Sequence, residues 1–163
     1  MAYKDYQHLL GRAYVEGDQD CYGLIRAYYN DLYEISIKNW ARPTDAFHSG
    51  LDLLAGRLKD EGFEIIQDSL DRLEIGDLLI MNVGCRIANH TAVYVGNNHI
   101  IHHLISRPSN EENFSGSWRR RVMDVVRHPF VTEANNENHQ TVDLIELLPD
   151  YVKLRYGIIK AVE

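Results

Sequence analysis

A chain of 163 residues, 45% of them hydrophobic, carries enough apolar material for one folded core and is short for two. Its 24 acidic against 17 basic side chains, a net charge of -7, exclude nucleic-acid or anionic-lipid binding driven by overall charge, and no run approaches the ~18 apolar residues that a membrane helix needs. Two cysteines, Cys21 and Cys85, are too few for a disulfide scaffold, and the opening Met1-Ala2-Tyr3-Lys4-Asp5-Tyr6-Gln7-His8 lacks the charged-then-apolar pattern of a secretion signal, so synthesis in a cytoplasm is expected.

In chain order, residues 3–13 predict a short helix that Gly17 and Asp18 break. From Cys21 the apolar residues Cys21, Leu24, Ile25, Tyr28 and Leu32 follow the 3.6-residue stripe of an amphipathic helix, with Cys21 in its first turn. A third helix is expected from Thr44 to Lys59, with Phe47, Leu51, Leu54 and Leu58 on one face and Gly62 past its end. The periodicity then changes to that of strands at Phe63–Ile66, Asp77–Val83, Thr91–Val95 and His99–Ile105, with Gly96-Asn97-Asn98 as a hairpin turn and Arg121–Arg127 as a further strand. Helices first and antiparallel strands after them give an α+β domain ending near Phe130. The polar, Asn-rich stretch Thr132–Thr141 reads as an exposed loop, and Pro149 interrupts the apolar run of the tail from Val142 to Tyr156, so that residues 131–163 form an appendage of the same domain. The run Arg119-Arg120-Arg121 reads as a solvated face.

Asp20-Cys21-Tyr22-Gly23 opens a helix. A helix N-terminus favours thiolate over thiol and presents N–H groups to a developing oxyanion. A glycine one turn in costs up to about 1 kcal/mol against alanine, for which a close backbone approach is a reason. On its own, a cysteine on an apolar stripe is more often a small core residue. A thiolate nucleophile needs a base and a group that orients the base, and four of the eight histidines lie between His90 and His103. A three-residue loop Gly96-Asn97-Asn98 pairs Ala92 with His102 and makes His102 the diagonal neighbour of His90; a two-residue turn Asn97-Asn98 selects His103 instead. The alternative is a zinc site from Cys85, His90, His99 and His102 or His103, since His99 and His103 have ligand spacing, although Cys85 lacks a cysteine partner. Trp118 reads as a core contact or as a wall of a substrate cleft.

Several segments together resemble the NlpC-type cysteine peptidases, cell-wall endopeptidases of reduced papain-like fold. Tyr14-Val15-Glu16-Gly17 and Asp20-Cys21-Tyr22-Gly23 are similar to the family's Tyr-x-x-Gly and Asp-Cys-Ser-Gly elements, and Gly76-Asp77-Leu78-Leu79 to its Gly-Asp-Leu strand. His90-Thr91-Ala92-Val93-Tyr94-Val95-Gly96 is similar to its His-Val-Gly-Ile-Tyr strand, and His102 to its third polar residue. Within the family, Asn89-His90, Ile101-His102-His103 and Arg127-His128 resemble the tail assembly proteins of lambda-like phages. The resemblance implies N-terminal helices packed on an antiparallel sheet, with Cys21 as nucleophile, His90 as base and His102 orienting it. It implies Tyr14 and Tyr22 at the substrate or oxyanion and no cofactor. The substrate implied is the peptide stem of peptidoglycan, cut near its γ-D-glutamyl to diaminopimelate bond, and the partners implied are other phage tail proteins. The site of action implied is the bacterial cell wall, reached from a virion tail tip. A structural tail protein with a weak or unused active site is the alternative.

Overall fold

The computed structural model describes residues 5–40, 54–66, 70–138, 149 and 151–152. Helix α1 (Cys21–Tyr33) begins where Asp20, in extended conformation, uses both carboxylate oxygens to hold backbone donors: Oδ1 accepts from the Gly23 N–H at 2.8 Å and Oδ2 from the Gly17 N–H at 2.9 Å. Glu34, left-handed at φ 57°, ends it. Of the stripe read from the sequence, Leu24, Ile25, Tyr28 and Leu32 are buried and Cys21 at its start is only partly so, while Tyr22 and Tyr29 widen the buried face. Burying each such side chain is worth roughly 1.5–3 kcal/mol.

Those residues lie on one face of a six-stranded antiparallel sheet. Its strands are β1 (Glu64–Ile65), β2 (Leu78–Met81), β3 (His90–Gly96), β4 (His99–His102), β5 (Asn110–Asn113) and β6 (Val122–Arg127), in the order β1-β6-β2-β3-β4-β5. The period-2 pleat divides β2 between two cores. Leu78 and Ile80 join Val93, Ile101 and the α1 stripe, whereas Leu79 and Met81 join Ala92, Ile100, Phe114 and Val125 on the other face. Because both faces are covered, β2 is buried along its whole length.

The Gly-Asp-Leu element closes the sheet's centre. Asp77, fully buried, accepts from Arg127 Nε at 2.6 Å and Nη2 at 2.8 Å, and Arg127 Nη1 reaches Glu74 at 2.6 Å. Gly76 is left-handed at φ 92°, and a Cβ there would lie 2.7 Å from Val131.

Three expectations change. Residues 5–13 hold only a 3-10 turn, Gln7–Leu9, because Ser109 takes the backbone instead: Gly11 N–H donates to the Ser109 carbonyl at 2.7 Å, Arg12 N–H to its Oγ at 2.9 Å, and Ser109 N–H to the Arg12 carbonyl at 3.0 Å. The expected loop at Thr132 is helical through Asn138, as part of α4 (Pro129–Asn138); Val131 is fully buried and Asn135 donates to the Ile75 carbonyl at 2.9 Å, so tertiary anchoring overrides an Asn-rich composition. Strand β5 and the short helix α3 (Gly116–Arg119) lie in a stretch with no strand or helix pattern of its own. Helix α2 (Leu54–Asp60) buries Leu54 and Leu58 as expected; Thr44 to Leu53 of that helix, with Phe47 and Leu51, fall outside the described residues, as does most of the tail from Val142.

Candidate active site

Cys21, partly buried, is the first residue of α1, and the Asp20 cap fixes where that helix starts. The glycine two positions on has its physical reason here: a Cβ on Gly23 would stand 1.7 Å from the Asp18 carbonyl oxygen, so the loop before the helix folds directly over it.

His90 begins β3, opposite Met81 of β2. Asn89 holds that end of the strand pair closed, accepting from the Val83 N–H at 2.7 Å and donating to the Val83 carbonyl at 2.8 Å. The turn between β3 and β4 combines both loop readings. Asn97 and Asn98 are left-handed at φ 48° and 61°, a two-residue turn that pairs Gly96 with His99. A bulge between Tyr94 and Gly96 then adds one residue to β3 and restores the pairing of Ala92 with His102. His102 is therefore the diagonal partner, and its Nδ1 lies 3.1 Å from His90 Nε2.

A carboxylate stands behind His102. Its Nε2 is 3.3 Å from Glu112 Oε1, an ion-pair distance although the two atoms are out of line for a hydrogen bond. Glu112 is itself held, accepting from Trp118 Nε1 at 2.8 Å and from Asn110 Nδ2 at 3.0 Å. The Trp118 ring meets His102 edge to face, with centroids 4.5 Å apart, and covers the histidine pair. Glu112 was not singled out in the sequence because β5 is a polar edge strand; the signal that could have found it is register, since Glu112 pairs with Ile100 and so neighbours His102 diagonally.

Cys21, His90, Tyr14, Trp118 and Arg121 line one cavity of about 500 Å³. Tyr14 thus does reach it, edge-on to His103 with ring centroids 5.4 Å apart. Tyr22 does not bring its ring there: one residue round the helix from Cys21, it points into the core, 1% exposed, and its hydroxyl donates to the Lys38 carbonyl at 3.3 Å. His103, the rejected alternative, lines the cavity without pairing with His90. The zinc set does not assemble: among the described residues no three or more His, Cys, Asp or Glu side chains are arranged to hold a metal ion, and Cys85 is exposed with its thiol donating to the Ile87 carbonyl.

Burial, the nearby His102 and His103 rings and the Arg121 guanidinium lower the His90 pKa from its ordinary 6.5 to about 3, so the imidazole is neutral at physiological pH. Burial also holds His102 below its usual value, against the opposing pull of Glu112. Burial pushes the Glu112 carboxyl up, but the Asn110 and Trp118 hydrogen bonds and the His102 ring outweigh it and keep the group below its usual range. The unfolded chain takes up the His90 proton near pH 6.5 and the folded chain only near 3, so between those values the unfolded state binds more protons. Stability is therefore fully present above pH 6.5 and declines as pH falls, by roughly 1.4 kcal/mol per unit for one such group. Urea midpoints measured at pH 7 and pH 5 are expected to differ in that direction, with a shallower slope in His90→Gln; equal midpoints for the unaltered chain would contradict the burial of a neutral His90.

A sheet of this order with a cysteine-bearing helix against one face and a paired histidine on the central strand defines a papain-like α+β domain. The family model for the NlpC/P60 family matches residues 11–127, and the chain belongs to that family. It is 32% identical over 121 residues to the tail tip assembly protein K of Escherichia phage lambda, and 27% identical over 128 residues to that of Escherichia phage N15, each match covering 74% of this chain. The chain spans 59% and 49% of the length of those relatives. Among solved structures, an NLP/P60 family protein of Staphylococcus aureus, described as similar to lipoprotein, superposes with a TM-score of 0.51 at 21% identity, over 74% of this chain and 37% of the other. The NlpC1 protein of Trichomonas vaginalis does so with a TM-score of 0.52 at 21% identity, over 75% and 40%. Both agree in fold. Among the described residues no helix is long and apolar enough to cross a membrane.

Proposed function

We propose that the chain is a cysteine endopeptidase that hydrolyses amide bonds in the peptide stems of peptidoglycan, as a component of a phage tail tip. The observation that carries this reading is the 3.1 Å contact between His90 and His102 at a cavity that also holds Cys21 at a helix N-terminus. Family membership and the tail tip relatives support the substrate class and the setting.

In this reading His90 Nε2 is committed to His102, which leaves Nδ1 to take the Cys21 proton. The thiolate attacks the amide carbonyl carbon, and the backbone N–H groups at the start of α1, with the Tyr14 hydroxyl, face the oxyanion. The intermediate collapses as His90 returns the proton to the leaving nitrogen, and water, deprotonated by the same imidazole, releases the acyl group from sulfur. His102 accepts from His90 Nε2–H through Nδ1, which requires its own proton on Nε2, the atom facing Glu112. Glu112 is then a positioning residue that fixes this tautomer. Glu112→Gln is expected to lower kcat about tenfold with KM nearly unchanged and to shift the acid limb of the kcat profile, by analogy with other base-orienting carboxylates. A change confined to thermal stability would reduce Glu112 to packing.

The deciding assay incubates purified muropeptides with the unaltered chain and with Cys21→Ala and identifies the products by mass. Equal turnover by both would remove Cys21 as nucleophile. The relatives' names favour a second reading, a structural tail-tip protein whose chemistry is unused; there, particles carrying Cys21→Ala assemble and infect normally while loss of the whole chain stops assembly.

A further inference from the structure

His103 stands outside the histidine pair and takes no part in the proton transfers described above. It directly follows β4 and turns toward α1, lining the cavity with Cys21 on one side and a groove walled by Gly23 and Ala27 of the same helix on the other. Only 2% of it is exposed, and its Nε2 has no aligned hydrogen-bond partner among the described residues, although the main chains of Arg12 and Arg107 lie close. Burial holds its pKa below the usual value, so the ring is neutral at physiological pH. A buried nitrogen without a partner costs stability, which a hydrocarbon side chain of similar bulk would avoid. What the imidazole supplies instead is a surface for Tyr14: the two rings meet edge to face, with centroids 5.4 Å apart and planes at 86°.

The main chain on either side of Tyr14 is already fixed. Two residues before it, Arg12 N–H donates to Ser109 Oγ and the Arg12 carbonyl accepts from Ser109 N–H; one residue after it, the bridge between Val15 and Gln19 begins. His103 and Ser109 belong to one connection, that from β4 to β5, in which Arg107 N–H donates to the Leu104 carbonyl at 3.1 Å. This connection therefore sets the path of the Tyr14 backbone through Ser109 and the direction of its ring through His103. We propose that His103 is a positioning residue that acts through Tyr14, holding its side chain in the rotamer that brings the hydroxyl to the oxyanion. This rests on the peptidase reading given above. A fixed backbone leaves a tyrosine several staggered rotamers, and a side-chain contact chooses among them. Because a misplacement of about 1 Å can cost on the order of 100-fold in rate, a contact that only aims a ring matters to turnover.

The test compares His103→Leu, which keeps apolar bulk without a ring, with His103→Phe, which keeps a ring without the nitrogens, each alone and combined with Tyr14→Phe. On a stem peptide His103→Leu is expected to lower kcat about tenfold with KM within about twofold, and His103→Phe to stay within about threefold of the unaltered chain. Tyr14→Phe alone is expected to lose about 100-fold, and neither change at His103 should cost more on top of it, because the hydroxyl being aimed is gone. Both changes remove the unpartnered nitrogen, so Tm is expected to hold or rise even where kcat falls, whereas a packing role would move the two together. Full activity of His103→Leu, a loss equal to that of His103→Phe, a loss that persists in Tyr14→Phe, or a loss accompanied by a lowered Tm would each overturn the proposal. The same contact is read without substrate by NMR of tyrosine-labelled chains: the Tyr14 ring signals are expected to move toward free-tyrosine positions in His103→Leu and to stay away from them in His103→Phe. Tyr14 signals that ignore His103→Leu would overturn the positioning role whatever the activity. Equal turnover by the unaltered chain and Cys21→Ala, with the Tyr14 signals moving as expected, would sink the peptidase reading and still support the hold of His103 on Tyr14.

Discussion

Cys21→Ala is expected to lower kcat/KM on a stem peptide by about 10⁴-fold or more, leaving the contribution of binding and of the oxyanion contacts. His90→Gln should fall nearly as far, because a thiol without an adjacent base has neither its thiolate made on demand nor a donor for the leaving nitrogen. The double variant is expected to be no slower than the worse single one. Residues that share one proton act as a unit, so their losses do not add. If the two losses multiplied, the groups would be contributing separately, and their common cavity would have another explanation. Measured kcat/KM for the four chains on one peptide, each checked for native circular dichroism, decides between these outcomes.

The largest effect on stability is expected from Gly23→Ala. The new methyl would sit 1.7 Å from a backbone carbonyl oxygen, that of Asp18, and no side-chain rotation relieves a clash with main chain. The segment that must move is braced by the Val15 to Gln19 bridge and by the Gly17 N–H on Asp20. Overpacking of this kind costs about 3 kcal/mol, against about 1 kcal/mol that alanine returns through helix propensity. The corresponding fall in Tm is roughly 4–8 °C for a domain of this size. Gly56→Ala is the control: it is also helical but open, with nothing within 4 Å of the added Cβ, and should be neutral or slightly stabilising. Equal melting of the two variants would mean that the loop at Asp18 yields freely, and the close approach would no longer explain the glycine in the Asp-Cys-Tyr-Gly element.

Much of this architecture is legible in the residues, and the parts that are not share a cause. The α1 stripe, strands β2, β3, β4 and β6, and the left-handed turn at Asn97 and Asn98 all follow from local periodicity or turn chemistry. The pairing of His90 with His102 rather than His103 follows from the count of residues in the hairpin only once the bulge is known, and a bulge leaves no mark in an alternating pattern. Asn110-Glu111-Glu112-Asn113 forms a strand because β4 offers it an edge, not because of its own composition, and Glu112 was hidden with it; Trp118 was legible as a core contact or cleft wall, but not its place against His102. At the other end, the Ser109 side chain and backbone hold Leu9, Gly11 and Arg12 across almost a hundred residues, a long-range bond that no local helix pattern anticipates.

The extra residue between Tyr94 and Gly96 has a consequence for how such a domain can change. Deleting it would leave the asparagine turn intact and keep Tyr94 opposite Ile100 and Ala92 opposite His102, because the residue lost is the one with no partner across the hairpin. The contact between the two imidazoles therefore tolerates a one-codon loss at that position. The shortened hairpin would still present the same ring to the base, with the same carboxylate behind it.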